Sequence, residues 1–376
     1  MLYRNFKGLM LSALGMGAMR LPTLEDGSGT IDERAAAEMV AYAMEQGINY
    51  FDTAWGYHNG HSETVLGKTL SGYPRECFYL ADKFPGYDVK NLEKPAEIFE
   101  KQLEKCRVDY FDFYLFHTVT EENIDLYLDE RYGLLDYILE QKRRGRIRHL
   151  GFSCHGRLPV LKRFLDSWGE HLEFCQLQVN YVDWLYQGAQ EKVELVRSYG
   201  LPIWVMEPLR GGTLAEFHPE DAAFLEAVRP GETAPGWAFR FLQGLSEVTV
   251  VLSGMSTMEQ LRENVAIFGE NVPLKTEETE SLLAVARNIL KRTTVFCTDC
   301  RYCVSHCPQG LNIPALVRLY NECAFSGQKT FWPEDVAELP PYKRPTACAA
   351  CGSCEKVCPQ GIRISEVMAR FQIPME

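Results

Sequence analysis

No apolar run in the 376 residues reaches the roughly 18 to 20 that a membrane-spanning helix needs, which argues against a helical membrane protein. Basic residues are also in short supply. Lys and Arg number 39 against 51 Asp and Glu, a formal charge of −12, and such a balance repels phosphate backbones and anionic lipid. Nucleic acid and membrane surfaces are therefore not expected partners. With 46% hydrophobic residues and no low-complexity tract, disorder and fibrous repeats are excluded. The dinucleotide fingerprint G-x-G-x-x-G is missing too: Gly15-x-Gly17 is followed by Met19 and Arg20, and the third glycine does not come. At the N-terminus Arg4 and Lys7 precede an apolar stretch, Leu9–Met19, that superficially resembles a secretory signal. Gly15 and Gly17 interrupt it where a signal core favours leucine, so it is expected to be the first buried strand.

What the sequence does have is alternation. Runs rich in aromatic and β-branched residues at 48–54, 77–84, 110–117, 147–153, 174–182, 202–209 and 248–255 read as buried strands. Helix-length amphipathic stretches separate them, among them Asp32–Gln46, with an Asp suited to capping, and Ala96–Arg107. With the Leu9–Gly17 segment the strands number eight. Eight strand–helix units in about 270 residues predict an α/β fold of the (β/α)8 TIM-barrel type, typically about 250 residues, over an open doubly wound sheet. After a helix-like segment, Glu277–Leu290, the pattern changes, and a domain boundary is expected between residues 1–290 and 291–376.

Thirteen cysteines are the strongest compositional signal. Cys77, Cys106, Cys154 and Cys175 are scattered and read as free buried thiols. Eight others form two matching C-x2-C-x2-C-x3-C-P runs: Cys297, Cys300, Cys303 and Cys307, then Cys348, Cys351, Cys354 and Cys358. That spacing lets three close thiolates hold three corners of a 4Fe-4S cubane while the fourth reaches elsewhere. Zinc sites favour paired C-x2-C units totalling four ligands, and a disulfide framework needs an oxidising compartment and a small domain. Two 4Fe-4S clusters are the expectation.

The C-terminal segment resembles a bacterial dicluster ferredoxin module over about 80 residues, in which the fourth cysteine of each run serves the other cluster. The resemblance implies one cluster on Cys297, Cys300, Cys303 and Cys358 and a second on Cys348, Cys351, Cys354 and Cys307, in a small α+β domain. The stretch between Cys307 and Cys348 is longer than in the smallest ferredoxins. It carries an expected helix at 313–325 and the lone Cys323, read as structural.

In the barrel, polar residues at strand ends carry the weight, because barrel active sites form there. Asp52 ends the second strand, Tyr57 follows it, Lys83 ends the third and His117 the fourth. Here the chain resembles the aldo-keto reductase superfamily across roughly residues 1–290, whose Asp, Tyr, Lys, His tetrad maps onto these four positions without substitution. The likeness extends through Gly151-Phe152-Ser153, Gln178-x-Asn180-Tyr181, Glu207-Pro208-Leu209-Arg210-Gly211-Gly212 and Gly254-x-Ser256 to Gln260 and Asn264. It implies reversible hydride transfer between NAD(P)H and a carbonyl or alcohol substrate, with Tyr57 as general acid/base, Lys83 drawing the phenol toward neutrality, Asp52 holding Lys83, and His117 orienting the carbonyl. Moving a phenol from about 10 to 7 takes roughly 4 kcal/mol of differential stabilisation.

For the cofactor the resemblance implies contacts from Gly17, Met19, Arg20, Ser153, Gln178, Glu207, Leu209, Gly211, Gly254, Ser256, Gln260 and Asn264. Two departures stand out. Cys154 occupies a position that is usually Asn. No cationic side chain sits in sequence beside Ser256 and Thr257, which favours NADH over NADPH. Trp55, His58, Phe84, Trp184 and Tyr186 are expected around the mouth.

Hydride carriers move two electrons and 4Fe-4S clusters one, so two further readings stand beside the reductase. One is an oxidoreductase coupled to a ferredoxin- or flavodoxin-type carrier, with a flavin such as FMN mediating. The other is a non-catalytic redox carrier or sensor. Reduced thiols and clusters point to a cytoplasmic setting.

Overall fold

The computed structural model describes residues 1–295, 297, 300–326, 336 and 339–371. A two-stranded antiparallel hairpin, β1 (Tyr3–Phe6) and β2 (Leu9–Ser12), comes first. Eight parallel strands then close into a barrel in chain order: β3 (Leu14–Gly17), β4 (Tyr50–Asp52), β5 (Tyr79–Phe84), β6 (Phe111–Val119), β7 (Ile147–Cys154), β8 (Phe174–Gln178), β9 (Ile203–Met206) and β10 (Val248–Ser253), which pairs back with β3. The (β/α)8 barrel is the architecture expected from the alternation.

Its first strand needs correction. Leu9–Gly17 is two strands broken at Ala13: Leu9–Ser12 folds back on Tyr3–Phe6 across the two-residue turn Lys7-Gly8, where φ is 50° and 90°, and Leu14–Gly17 joins the barrel. The hairpin inserts Phe6 and Leu11 into an apolar cluster with Tyr50, Phe113, Phe174, Trp204 and Val250. Phe6 meets the Trp204 ring edge-on at 5.1 Å. Each such fully buried side chain contributes on the order of 1.5–3 kcal/mol. Gly15 belongs to this packing and not to a nucleotide loop: a Cβ there would lie 2.8 Å from Leu252 and 2.9 Å from Val250.

The helices follow their local signals. Asp32 caps the helix Glu33–Glu45, accepting the N–H groups of Arg34 and Ala35. The helix Pro95–Cys106 starts with proline in its first turn and buries Ile98, Phe99, Gln102, Leu103 and Cys106. It packs on the helix Ser62–Leu70 through Gly67, where a Cβ would fall 2.4 Å from the Lys105 carbonyl oxygen.

The chain divides into two compact units, Met1–Leu209 with Phe217–Leu282, and Arg210–Glu216 with Leu283–Glu376. The helix Thr276–Thr293 spans the second division. In the second unit the helices Ile313–Ser326 and Ile364–Ala369 gather Leu311, Ile313, Val317, Val367 and Met368 around Cys303 and Cys354. An internal repeat is visible there. Cys307-Pro308-Gln309-Gly310-Leu311-Asn312-Ile313 is matched by Cys358-Pro359-Gln360-Gly361-Ile362-Arg363-Ile364, each leading into a helix. The paired glycines have φ of 60° and 62°. The helix expected in the insertion is present, while residues 327–335 of that insertion lie outside the described residues. No described helix is long and apolar enough to cross a membrane.

Of the scattered cysteines, Cys106, Cys154 and Cys175 are buried as expected, but Cys77 is exposed; the lone Cys323 is buried. The reason is local. Cys77 ends the short turn Arg75–Cys77, and the strand begins only at Tyr79.

Candidate functional site

The register of the barrel brings the four strand-end residues together. Asp52 pairs across to Ala81, and Lys83 to Leu115, which sets Asp52, Lys83 and His117 at successive strand ends on one rim. Lys83 is fully buried. Its ammonium donates to Asp52 Oδ1 at 2.5 Å and to the Thr53 carbonyl at 2.7 Å, and reaches the Tyr57 hydroxyl at 3.4 Å. The Tyr57 ring stands edge-on to His117 at 5.9 Å, and Tyr87 does the same at 5.7 Å. Tyr87, between the third and fourth strands, was not marked by the sequence; only its imidazole partner in space reveals it.

Backbone strain concentrates here. Thr118, directly after His117, has φ 56°, Glu207 after β9 has φ 54°, and His58 and Asn59 have φ 50° and 54°. A β-branched residue in the left-handed region costs on the order of 1–2 kcal/mol and persists only where neighbours hold it. Three side chains do so at Thr118: Ser153 Oγ accepts its N–H at 2.7 Å, Asn123 donates to its carbonyl at 2.7 Å, and the Tyr127 hydroxyl donates to the His117 carbonyl at 2.6 Å.

The electrostatics correct one expectation. Burial raises the Tyr57 phenol above its ordinary value; Lys83 pulls it down and Asp52 pushes it up again, and burial prevails. The phenol is therefore protonated at neutral pH, not poised near it. Burial disfavours the charge on Lys83, but Asp52 and Tyr57 outweigh it and leave the ammonium above its ordinary value. Burial likewise lifts Asp52, with Lys83 opposing. His117 is pushed well below its ordinary value by burial and then by Lys83, so its imidazole is neutral, and its buried Nδ1 has no partner among the described residues. Asp52 Oδ2 is a second buried atom without one.

The residues marked for a nicotinamide cofactor fall into groups. Ser153 is buried and accepts the Thr118 N–H, leaving its own O–H to donate. Gln178 donates to Asp183 Oδ2 at 2.8 Å. Asn180 donates to the same oxygen and to the Glu207 carbonyl, and accepts from the N–H groups of Val182 and Asp183, a structural role. Gly17 pairs with Asp52, and Met19 and Arg20 form the short exposed turn that follows it. Gly254 lies beneath the Arg20 side chain, and Ser256 Oγ donates to the Arg20 carbonyl at 2.9 Å. This closeness places a cation, paired at 4.0 Å with Glu207, beside the Gly254–Ser256 segment although sequence proximity showed none. Gln260 holds the Ser256 N–H at 2.8 Å at the start of the helix Met258–Ile267, which Thr257 caps. Asn264 is buried and donates to Ser253 Oγ at 3.0 Å. Leu209 ends a segment of the first unit, whereas Gly211 lies in the segment assigned to the second. Phe84 is fully buried and belongs to the core, not to an open mouth. The buried cation, neutral imidazole and rim of strand-end polar groups suit a nicotinamide and a carbonyl oxygen.

In the second unit two small cavities each present four cysteines. One is lined by Cys307, Cys348, Cys351 and Cys354; the other by Cys297, Cys300, Cys303 and Cys358. The crossed grouping arises because Cys307 and Cys358 leave their own runs. The remaining walls are mostly apolar, including Ile313, Ile364 and Met368. Four soft thiol donors around an apolar volume fit a 4Fe-4S cubane.

Comparison with known proteins agrees with this division. The aldo/keto reductase family model matches residues 13–287 and the 4Fe-4S dicluster domain model residues 296–362. The chain belongs to the aldo/keto reductase family. It is 27% identical over 311 residues to L-galactose dehydrogenase of Arabidopsis thaliana, covering 75% of this chain and 93% of that protein. It is 26% identical over 307 residues to the NADH-specific methylglyoxal reductase of Escherichia coli, covering 70% and 92%. The solved holo form of an aldo-keto reductase from Bacillus halodurans superimposes with a TM-score of 0.62 at 25% identity, covering 76% of this chain and 96% of that one.

Proposed function

We propose that the protein is a nicotinamide-dependent oxidoreductase that interconverts a small carbonyl compound and its alcohol in a barrel of residues 1–290, and that residues 291–376 carry two 4Fe-4S clusters. The observation that supports it best is the convergence of Lys83, Asp52, Tyr57 and His117 on one barrel rim. A nicotinamide, when bound, supplies or accepts the hydride. Gly17, Met19, Arg20, Ser153, Gln178, Glu207, Leu209, Gly254, Ser256, Gln260 and Asn264 are the residues proposed to hold or support it.

The chain's own residues do the rest. Tyr57, kept protonated by burial, donates its hydroxyl proton to the oxygen as negative charge develops there. Lys83 stabilises the phenolate left behind, and Asp52 keeps Lys83 charged and aimed. Neutral His117 hydrogen-bonds the same oxygen and fixes the carbonyl's direction. In the oxidative direction the proton returns to Tyr57. Small oxygenated aldehydes and sugars are the substrate class to try first, as the names of the two relatives suggest; a preference for NADH over NADPH rests on the name of the Escherichia coli relative, since Arg20 supplies a cation beside Gly254–Ser256.

The two four-cysteine cavities support a second reading, in which clusters and barrel exchange electrons through a flavin. One experiment separates them: anaerobic mixing of cluster-loaded protein with NADH or NADPH, with and without methylglyoxal, and with NAD+ or NADP+ and L-galactose for the oxidative direction. Saturable, carbonyl-dependent NADH oxidation that leaves the cluster absorbance intact, and is lost in Tyr57→Phe, supports the reductase. Bleaching of the clusters by NADH alone, with flavin released on denaturation, replaces it with the electron-coupled reading.

A further inference from the structure

The loop that carries Tyr57 is held in a conformation it would not adopt alone. His58, Asn59 and Gly60 are consecutive left-handed residues, with φ of 50°, 54° and 84°. Two non-glycine residues in that region cost roughly 1–2 kcal/mol each, so something outside the loop must hold it.

Three contacts do. His58 Nε2 accepts the Leu21 N–H at 3.1 Å. The other two converge on one side chain, Lys105, in the last turn of the helix Pro95–Cys106. Its ammonium donates to the Gly60 carbonyl at 3.2 Å and lies 4.0 Å above the Trp55 ring, at the opposite end of the loop. Lys105 is seated in turn on Glu63, a fully buried carboxylate, at 2.7 Å. The other Glu63 oxygen accepts from Gln102 Nε2 at 3.2 Å, and the same amide donates to the Lys83 carbonyl at 2.9 Å. The Tyr114 hydroxyl fixes Gln102 by donating to its Oε1 at 2.5 Å. One buried network therefore reaches from the loop of Tyr57 to the backbone of Lys83. The missing Cβ at Gly67 is what lets the helix bearing Lys105 approach closely enough.

We propose that Lys105, seated on Glu63, is the positioning residue of Tyr57: it clamps both ends of the Trp55–Gly60 loop and so sets the phenol hydroxyl against the Lys83 ammonium. Its catalytic consequence rests on the reductase reading above. Lys105 touches neither Tyr57 nor the site interior, so its effect is geometric, and misplacement by about 1 Å is enough to cost about 100-fold in rate.

The test uses the full, cluster-loaded chain. In Lys105→Met we expect kcat to fall roughly 10- to 100-fold with KM for the nicotinamide within about twofold. Hydrogen exchange of the amides at 56–61 should rise while that of the barrel strands does not. Lys105→Arg, which keeps a cation over Trp55, should recover most of both. Trp55→Leu, which removes one anchor only, should raise exchange at the same amides by less, and it serves in place of Lys105→Met should that variant fail to fold. Unchanged exchange at 56–61 in Lys105→Met, or in Trp55→Leu where it stands in, overturns the proposal whatever the activity. Should the wild type show no carbonyl-dependent turnover, the reductase reading falls and the clamp is judged by exchange alone.

Discussion

The barrel and the cysteine module build their sites in opposite ways. In the barrel the proposed reacting groups are spread along the sequence and are converged by strand register, so position is supplied by the fold and chemistry by burial: Lys83 is fully buried, His117 is held neutral, and Thr118 is forced to a positive φ. In the module three of the four cysteines around each cavity are spaced three residues apart and the fourth comes from the other run, and the thiols are themselves part of the core, with Cys303 and Cys354 buried among Leu311, Ile313 and Val317. Removing a barrel group should therefore abolish chemistry and spare the fold, whereas removing a module group should undo both.

The widest gap is expected between Tyr57→Phe and the pair Cys303→Ser with Cys354→Ser. The phenol variant should lose about 10²- to 10⁴-fold in turnover while iron content and melting stay as in the wild type. The double serine variant should lose bound iron and melt the module while the far-UV signal of the barrel persists. Equal losses of iron in the two would break the contrast.

Next in size is Trp204→Ala in the apolar cluster shared with the hairpin, where a fully buried indole packs on Phe6 and on Phe174 at 4.5 Å. A cost of about 3–5 kcal/mol is expected, read as a lower denaturation midpoint with iron content retained.

The pH dependence is smaller. His117 has a folded value below its unfolded value of about 6.5, so its neutral form stabilises the fold above that pH, and stability falls as pH drops through 6.5 toward the folded value. The slope from this one group is at most about 1.4 kcal/mol per pH unit. His117→Gln should flatten the stability profile in that window, and an unchanged slope would place the titration elsewhere.

The smallest effect lies in the module's own repeat. Arg301 and Gly352 follow the second cysteine of their runs with φ of 63° and 68°, but only one is glycine. Arg301→Gly should stabilise the module by about 0.5–1 kcal/mol, measured by denaturant titration, whereas Gly352→Arg should destabilise it.

Much of this was legible because it is periodic. Alternating strand and helix patterns, Asp32 at a helix start and the double cysteine spacing are local signals whose physics acts over a few residues. The misreadings were local as well: the presumed single strand Leu9–Gly17 breaks at Ala13, and Cys77 sits one turn too early to be buried. Other features left no trace in the sequence, because they need a partner brought from elsewhere. Tyr87 matters only beside His117, Arg20 only across Gly254, and Lys105 only under Trp55 and Gly60. The same holds for the state of Tyr57. Residue types suggested a phenol lowered by Lys83, but burial acts on it more strongly, and burial is a property of the packed chain.

By itself, then, the sequence determined the barrel, the cluster module and the identity of the groups at the strand ends, since hydrophobic period, cysteine spacing and residue chemistry are all written along the chain. Tertiary structure alone decided which way the phenol and imidazole titrate, and what holds the Tyr57 loop in place. Those depend on distance and desolvation, and both exist only once residues remote in sequence have been packed together.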